Sequence, residues 1–223
     1  MRLVCDAQVS QLRREGNVWC VDSAAGRFCA PVLVNAAGAW CDELAQLAGV
    51  APVGLVPMRR TAFTCEAPAA IDISGWPLVI DADESFYFKP DAGMLLASPA
   101  NEDPVAPQDV QPEELDLAIA VDRLEHATTL TFPKVRRKWA GLRSFVADKT
   151  PVAGFAPDAP GFFWLAGQGG YGIQTAPALG ELAAALVRGL PLPPAMAALG
   201  LRAEDLSAAR PALRGLKLQG TQR

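Results

Sequence analysis

The chain has 223 residues, enough to bury a core of its own, and its 51% hydrophobic and 20% charged content is that of a folded chain rather than a disordered one. A net charge of −4 with no clustered Lys/Arg stripe argues against nucleic acid as a partner. No apolar run reaches transmembrane length and the first residues lack a signal-peptide pattern, so the expectation is a cytoplasmic setting without a membrane span.

In chain order, 3–10 ("LVCDAQVS"), 18–22 ("VWCVD") and 27–35 ("RFCAPVLVN") read as three short strands separated by turns, a small meander. "NAAGAWCDELAQLAGV" then switches to helical spacing, with Trp40, Leu44 and Leu47 on one face, Asp42 and Glu43 in the first turn and Gly49 at the end. "RTAFTCEA", "WPLVIDAD", "SFYFKP" and "GMLLASP" return to strand texture, and "PDAG" suits a hairpin turn between the last two. Pro112 opens a helix with Leu117, Val121 and Leu124 on one face, and 129–147 is again extended. The strand "GFFWLA" leads to a helix over about 175–189 striped by Leu179, Leu182, Ala183 and Leu186. The Pro-rich stretch after it and the polar end from 202 read as surface wrapping or disorder. The pattern is antiparallel β with a few helices rather than repeated βαβ, and no internal repeat is visible.

Cys5, Cys20, Cys29, Cys41 and Cys65 are odd in number and form no C-x-x-C pair, so they read as small buried hydrophobes rather than a disulfide framework or metal site. The single histidine, His126, reads as a helix-end or surface residue. One imidazole gives no basis for a His-rich metal site, a Ser-His-Asp triad or a Cys-His pair.

Residues 167–172, Gly-Gln-Gly-Gly-Tyr-Gly, spell G-x-G-x-x-G between a strand and a helix. A nicotinamide-binding Rossmann unit also needs a following parallel strand and an acidic residue about 20 positions on. Here "PLPP" follows instead, so the signature fails its own context. What survives is a glycine loop feeding a helix N-terminus, a place for negative charge or carbonyl oxygens and for close approach of a flat ligand. A tight strand-to-helix turn with no ligand is the other reading of the loop.

"VLVNAAGAWCDELAQLAGV", "WAGLRSFVADKTPVAG" and "GFFWLAGQGGYGIQTAPALGELAAALVRG" come in that order, and together they resemble the carboxy-terminal part of FAD-dependent amine and amino-acid oxidoreductases. This is the D-amino-acid oxidase, glycine oxidase and sarcosine oxidase group. The resemblance runs from about residue 3 to 190. It implies an α+β fold: a mainly antiparallel substrate-binding sheet with flanking helices, plus the C-terminal remainder of an FAD-binding Rossmann-like domain. The implied division is 1–50 for the flavin-domain remainder, 51–140 for the substrate-binding sheet, 141–192 for a flavin-binding strand-loop-helix and 193–223 for a tail. It also implies that the true G-x-G-x-x-G precedes Met1, making this chain a fragment that self-associates or pairs with that missing segment.

The resemblance points to Val9 beside the adenine and to Ala36, Ala37, Gly38 and Trp40 along the cofactor. It places Gly167, Gln168, Gly169, Gly170, Tyr171, Gly172 and Ile173 around the flavin ring and ribityl chain. Arg143, in "GLR", corresponds to the clamp on the substrate carboxylate, and Tyr87, in "SFYFKP", to the tyrosine over the substrate. A planar guanidinium suits a carboxylate because it meets both oxygens. The implied activity is oxidation of the C–N bond of a small amino acid or secondary-amine carboxylate by hydride transfer to FAD, with either oxygen or another acceptor taking the electrons. No metal is implied.

The glycine loop has Gly170 and Tyr171 where glycine oxidases carry an extra arginine, and no cysteine lies beyond Cys65 to attach flavin covalently, so FAD is expected to be non-covalent. Arg59 and Arg60 are open between a structural role and an acidic substrate or cofactor. The competing account is a non-catalytic fragment or interaction subunit that does not bind FAD on its own.

Overall fold

In a computed structural model of the chain, residues 2–67, 71–132 and 134–213 are described. They form two compact units, one built from 1–56 with 144–223 and the other from 57–143. No described helix is long and apolar enough to cross a membrane.

The first unit begins with the antiparallel meander β1 (Val9–Glu15), β2 (Val18–Ser23) and β3 (Gly26–Ala30). The expected strand over 3–10 thus moves toward the C-terminus. Pairing with β2 begins only at Val9, opposite Ser23, so the residues before it have no ladder to join. Pro31, which has no N–H to give a ladder, separates β3 from β4 (Leu33–Asn35), and the two strands serve different sheets. A 3-10 turn over Gly38–Trp40 runs into α1 (Cys41–Leu47). Its buried face is not the expected one. Cys41 and Ala45 are fully buried, whereas Trp40 and Leu47 are 42% and 43% exposed. Small side chains let this short helix lie close to Val50, Val53 and Trp164 in the core, which the larger residues would prevent.

Cys20 and Cys29 correct a second expectation. They are directly opposed in β2 and β3, with Cα atoms 4.2 Å apart, and are joined by a disulfide. Opposed residues of an antiparallel ladder approach closely enough for a bridge, and a tight hairpin achieves this without any C-x-x-C motif. Of the other three cysteines, Cys41 and Cys65 are buried and Cys5 is exposed.

The second unit is organised on a sheet of β5 (Val56–Glu66), β6 (Val79–Ile80), β7 (Tyr87–Asp91), β8 (Met94–Ser98) and β10 (Val135–Phe145), in the order β10-β5-β8-β7-β6, with β9 (Asp103–Pro104) also pairing with β5. The β7–β8 hairpin turns at Ala92 and Gly93, both with positive φ, as a two-residue connection of right-twisted strands requires. Helix α2 (Glu114–Ala127) follows its proline by two positions, with His126 exposed in its last turn.

Phe63, Cys65, Phe88, Leu95 and Ala97 pack with Leu117, Ala120 and Leu124 of α2, so α2 covers one face of this sheet. Side chains alternate along a strand. Arg60, Ala62 and Thr64 of β5 and Tyr87 and Lys89 of β7 therefore belong to the opposite face.

Back in the first unit, β11 (Val152–Phe155) and β12 (Phe162–Ala166) complete a three-stranded sheet ordered β11-β12-β4. β12 runs antiparallel to β11 but parallel to β4, with Phe162 opposite Leu33 and Trp164 opposite Asn35. Helix α3 (Gly172–Val187) buries Leu182 and Ala183 and packs with Leu206 and Ala153. The segment expected to be surface wrapping is ordered as far as it is described. It contains α4 (Pro194–Ala198) and 3-10 turns over Ala203–Leu206 and Pro211–Leu213. Leu206 and Arg210 are buried, and Arg210 holds Asp148 through two nitrogens at 2.7 and 2.8 Å. The rest of the expected polar end, 214–223, lies outside the described residues.

Candidate functional site

The predicted site residues fall into two groups, one in each unit. In the first unit, the chain leaves the carboxyl end of the parallel pair β4/β12 twice: after Asn35 into residues 36–40, and after Ala166 into the glycine loop 167–172. The carboxyl edge of parallel strands is where open α/β sheets receive ligands. The structure thus brings Ala36, Ala37, Gly38 and Trp40 to the same edge as Gly167–Ile173. Val9 instead begins β1, in the meander.

Asn35 organises the first segment. It is buried, its Nδ2 donates to the Cys41 carbonyl at 2.8 Å, and its Oδ1 accepts from Ala37 N–H at 3.4 Å. Gly38 has φ +59°, and a Cβ there would meet no atom within 4 Å, so its backbone faces open space. Asp42 fixes the following segment by accepting N–H bonds from Val53 at 3.1 Å and Leu55 at 2.7 Å. Burial raises its carboxyl above the ordinary 3.8, and those donors oppose the rise. Neither Asn35 nor Asp42 was singled out for the site from sequence; an Asn at a strand end and an acid in a first helical turn were the available signals.

Gly167 and Gly169 have φ of +71° and +54°. Gly169 N–H donates to the Ser144 carbonyl and Tyr171 N–H to the Gln168 carbonyl, both at 3.1 Å. Helix α3 starts at Gly172 with no side-chain cap and no acidic residue in its first turn. Its leading N–H groups, at Gly172, Ile173 and Gln174, therefore lack intrahelical acceptors and carry the positive end of the macrodipole. Tyr171 and Ile173 beside them are 61% and 95% exposed. Free N–H donors, absence of competing carboxylate and adjacent apolar side chains suit the carbonyl-rich edge of a flat ring such as flavin. The residues present fit that group.

The second group is in the other unit. Arg60, on β5, is near both Tyr87 on β7 and Arg143 on β10. Burial, then the Arg143 charge, draws the Arg60 guanidinium below its ordinary value, while Tyr87 and Glu102 pull the other way. Arg60 Nε donates to the Asn101 carbonyl at 2.6 Å and Nη2 to Glu102 at 3.1 Å. Arg143 is half-buried and, among the described residues, has no ion pair and no side-chain hydrogen bond.

Arg59, the adjacent residue, is on the helix-covered face. Its Nε meets Asp116 at 3.0 Å and its Nη2 meets Asp103 at 3.3 Å, and Glu113 accepts from Nη1. Thr61 Oγ1 also donates to Asp116, at 2.5 Å. The choice left open for the arginine pair thus separates by residue: Arg59 is part of a buried ionic network, and Arg60 belongs with Tyr87 and Arg143. A groove of about 670 Å³ between α2 and β10, lined by Leu117, Val121, Arg136 and Lys138 among others, touches none of the predicted site residues. No group of three or more metal-ligating side chains occurs among the described residues.

The family profile described as "FAD dependent oxidoreductase" matches residues 1–186. "Uncharacterized oxidoreductase YurR" of Bacillus subtilis is 26% identical over 195 residues, covering 83% of this chain and 50% of the relative. The glycine oxidase of Geobacillus kaustophilus is 25% identical over 188 residues, covering 81% of this chain and 46% of the enzyme. The crystal structure of that glycine oxidase superposes with a TM-score of 0.70 over 83% of this chain and 49% of its own, at 24% identity, which supports the shared fold. The chain spans about half the length of these relatives. With the profile match covering most of its length, the chain belongs to the FAD dependent oxidoreductase family.

Proposed function

We propose that this chain supplies the carboxylate-binding sheet and part of the flavin-binding surface of an enzyme that oxidises the C–N bond of a small amino acid or secondary-amine carboxylate, in the cytoplasm and with FAD held non-covalently. The observation that carries the proposal is Arg143: a half-buried guanidinium on β10, without a counter-ion among the described residues, whose charge acts on Arg60, the residue that Tyr87 also contacts. A carboxylate is the ligand that its planar fork fits best.

Arg143 fixes the substrate carboxylate, and Tyr87 orients the substrate above the sheet. Residues 36–40 and 167–173 would hold FAD, the first-turn N–H groups of α3 facing its electron-rich edge. Bound FAD supplies the two-electron acceptor. The chain contributes binding and orientation, which is consistent with a site that needs neither imidazole nor thiolate.

Calorimetric titration with propionate tests the carboxylate role. Arg143→Gln should weaken binding by about tenfold or more, the equivalent of one lost charge-assisted contact, and unchanged affinity would remove the assignment.

The half-length match favours one second reading, a non-catalytic subunit that takes up no FAD alone. A purified chain that stays colourless near about 450 nm after addition of FAD would support it.

A further inference from the structure

We propose that Arg60 and Arg143 form a two-pole receptor, so that the preferred substrate carries a second carboxylate besides the one on its amino-acid carbon. The proposal rests on the carboxylate-binding role of Arg143 and adds the substrate class.

The contrast between neighbouring arginines carries it. Arg59 is offset by Asp103, Glu113 and Asp116 on its own face of the sheet. One residue on, Arg60 has Glu102 as its ion-pair partner among the described residues. The second guanidinium, Arg143, is on the neighbouring strand β10, near enough for its charge to act on Arg60, with no ion pair among the described residues. Two cations against one carboxylate leave a surplus of positive charge. The Arg60 side chain is only 12% exposed, so water screens that charge poorly. Such an arrangement is unfavourable until an anion enters it.

Arg60 is also preset for a ligand. The Asn101 carbonyl and Glu102 hold Nε and Nη2 from one side, which orients the guanidinium before anything binds. Tyr87 interacts with the same group and ties the two arginines to the residue expected over the substrate. A substrate with carboxylates at both ends meets Arg143 with one and Arg60 with the other.

The test compares propionate with succinate, the same chain bearing a second carboxylate, by calorimetry on the 223-residue chain, with inorganic sulfate as a control. Succinate should bind about tenfold or more tightly than propionate. Arg60→Gln should weaken succinate far more than propionate, so that the succinate-to-propionate affinity ratio falls to about twofold or less, and Arg60→Lys should restore part of that ratio. Equal affinities in the unaltered chain, sulfate binding as tightly as succinate, or an equal loss for both acids in Arg60→Gln would each overturn the proposal. The unaltered chain alone decides the first two, whatever the folding of the variants. Failure of the underlying reading looks different: propionate affinity would not respond to Arg143→Gln. Absence of binding by both acids would overturn both claims.

Discussion

The ring of Phe145 occupies the space that a side chain on Gly169 would need: a Cβ there would lie 2.3 Å from Cε1 and 2.7 Å from Cδ1 of the phenyl group. Gly169 also has φ +54°, a backbone conformation that a β-carbon disfavours. Both effects act on the loop that leads into α3. Gly169→Ala should therefore lower stability by about 1–3 kcal/mol, read as a fall in the thermal midpoint. Gly180→Ala, in the interior of α3 where a Cβ meets nothing within 4 Å, should leave stability unchanged or raise it by up to about 1 kcal/mol.

Arg59 and Asp116 are nearly excluded from water, with side chains 11% and 7% exposed. Arg59 also pairs with Asp103 and Glu113, whereas Asp116 has Arg59 as its one ion-pair partner among the described residues. Arg59→Met therefore strands a buried carboxylate and should cost about 3–5 kcal/mol in denaturant unfolding, whereas Asp91→Ala, on an exposed pair with Lys89, should cost about 1 kcal/mol or less.

The cysteines give a count that chemistry can check. Under native, non-reducing conditions, Cys5 alone should react promptly with a thiol reagent. Burial pushes the Cys41 and Cys65 thiols up to about 11, so both should resist modification until the protein unfolds. Unfolding without reductant should then expose three thiols, and unfolding with reductant all five. Loss of the Cys20–Cys29 bond should cost about 2–3 kcal/mol, the scale for a short closed loop.

Asp148 gives a pH dependence whose sign is fixed. Its hydrogen bonds to Arg210 hold the carboxyl below the ordinary 3.8. A carboxyl lowered on folding adds stability above its unfolded value, and that stability is lost as pH falls through the folded value. Acid unfolding below about pH 4 should be steeper in the unaltered chain than in Asp148→Asn, by on the order of 1 kcal/mol after solvent screening. Equal acid slopes would contradict the role given to this pair.

The glycine loop, its flanking strand and helix, and the β7–β8 hairpin were legible because glycine, local periodicity and turn residues act over a few positions. Contacts between distant segments were not. The parallel partner of β12 is β4, which precedes it far back in the chain, and no local pattern around β12 marks that pairing. Alternation along β5 dictates that Arg59 and Arg60 face opposite ways, but only the position of α2 decides which one meets Asp116. Across α1 and the turn before it, hydrophobic size favoured Trp40 and Leu47, while close packing selected Cys41 and Ala45. The Cys20–Cys29 bridge depended on strand register, which cysteine spacing alone does not specify.

The most direct test of amino-acid oxidation is anaerobic reduction of the FAD-loaded chain, followed as loss of absorbance near about 450 nm. Glycine, sarcosine and iminodiacetate should each be compared with the corresponding amine lacking its carboxylates. The account predicts bleaching by the carboxylate-bearing amines and rates slower by about a hundredfold or more for the others, since Arg143 can position only the former. Equal bleaching by both sets, or none by either, would contradict it.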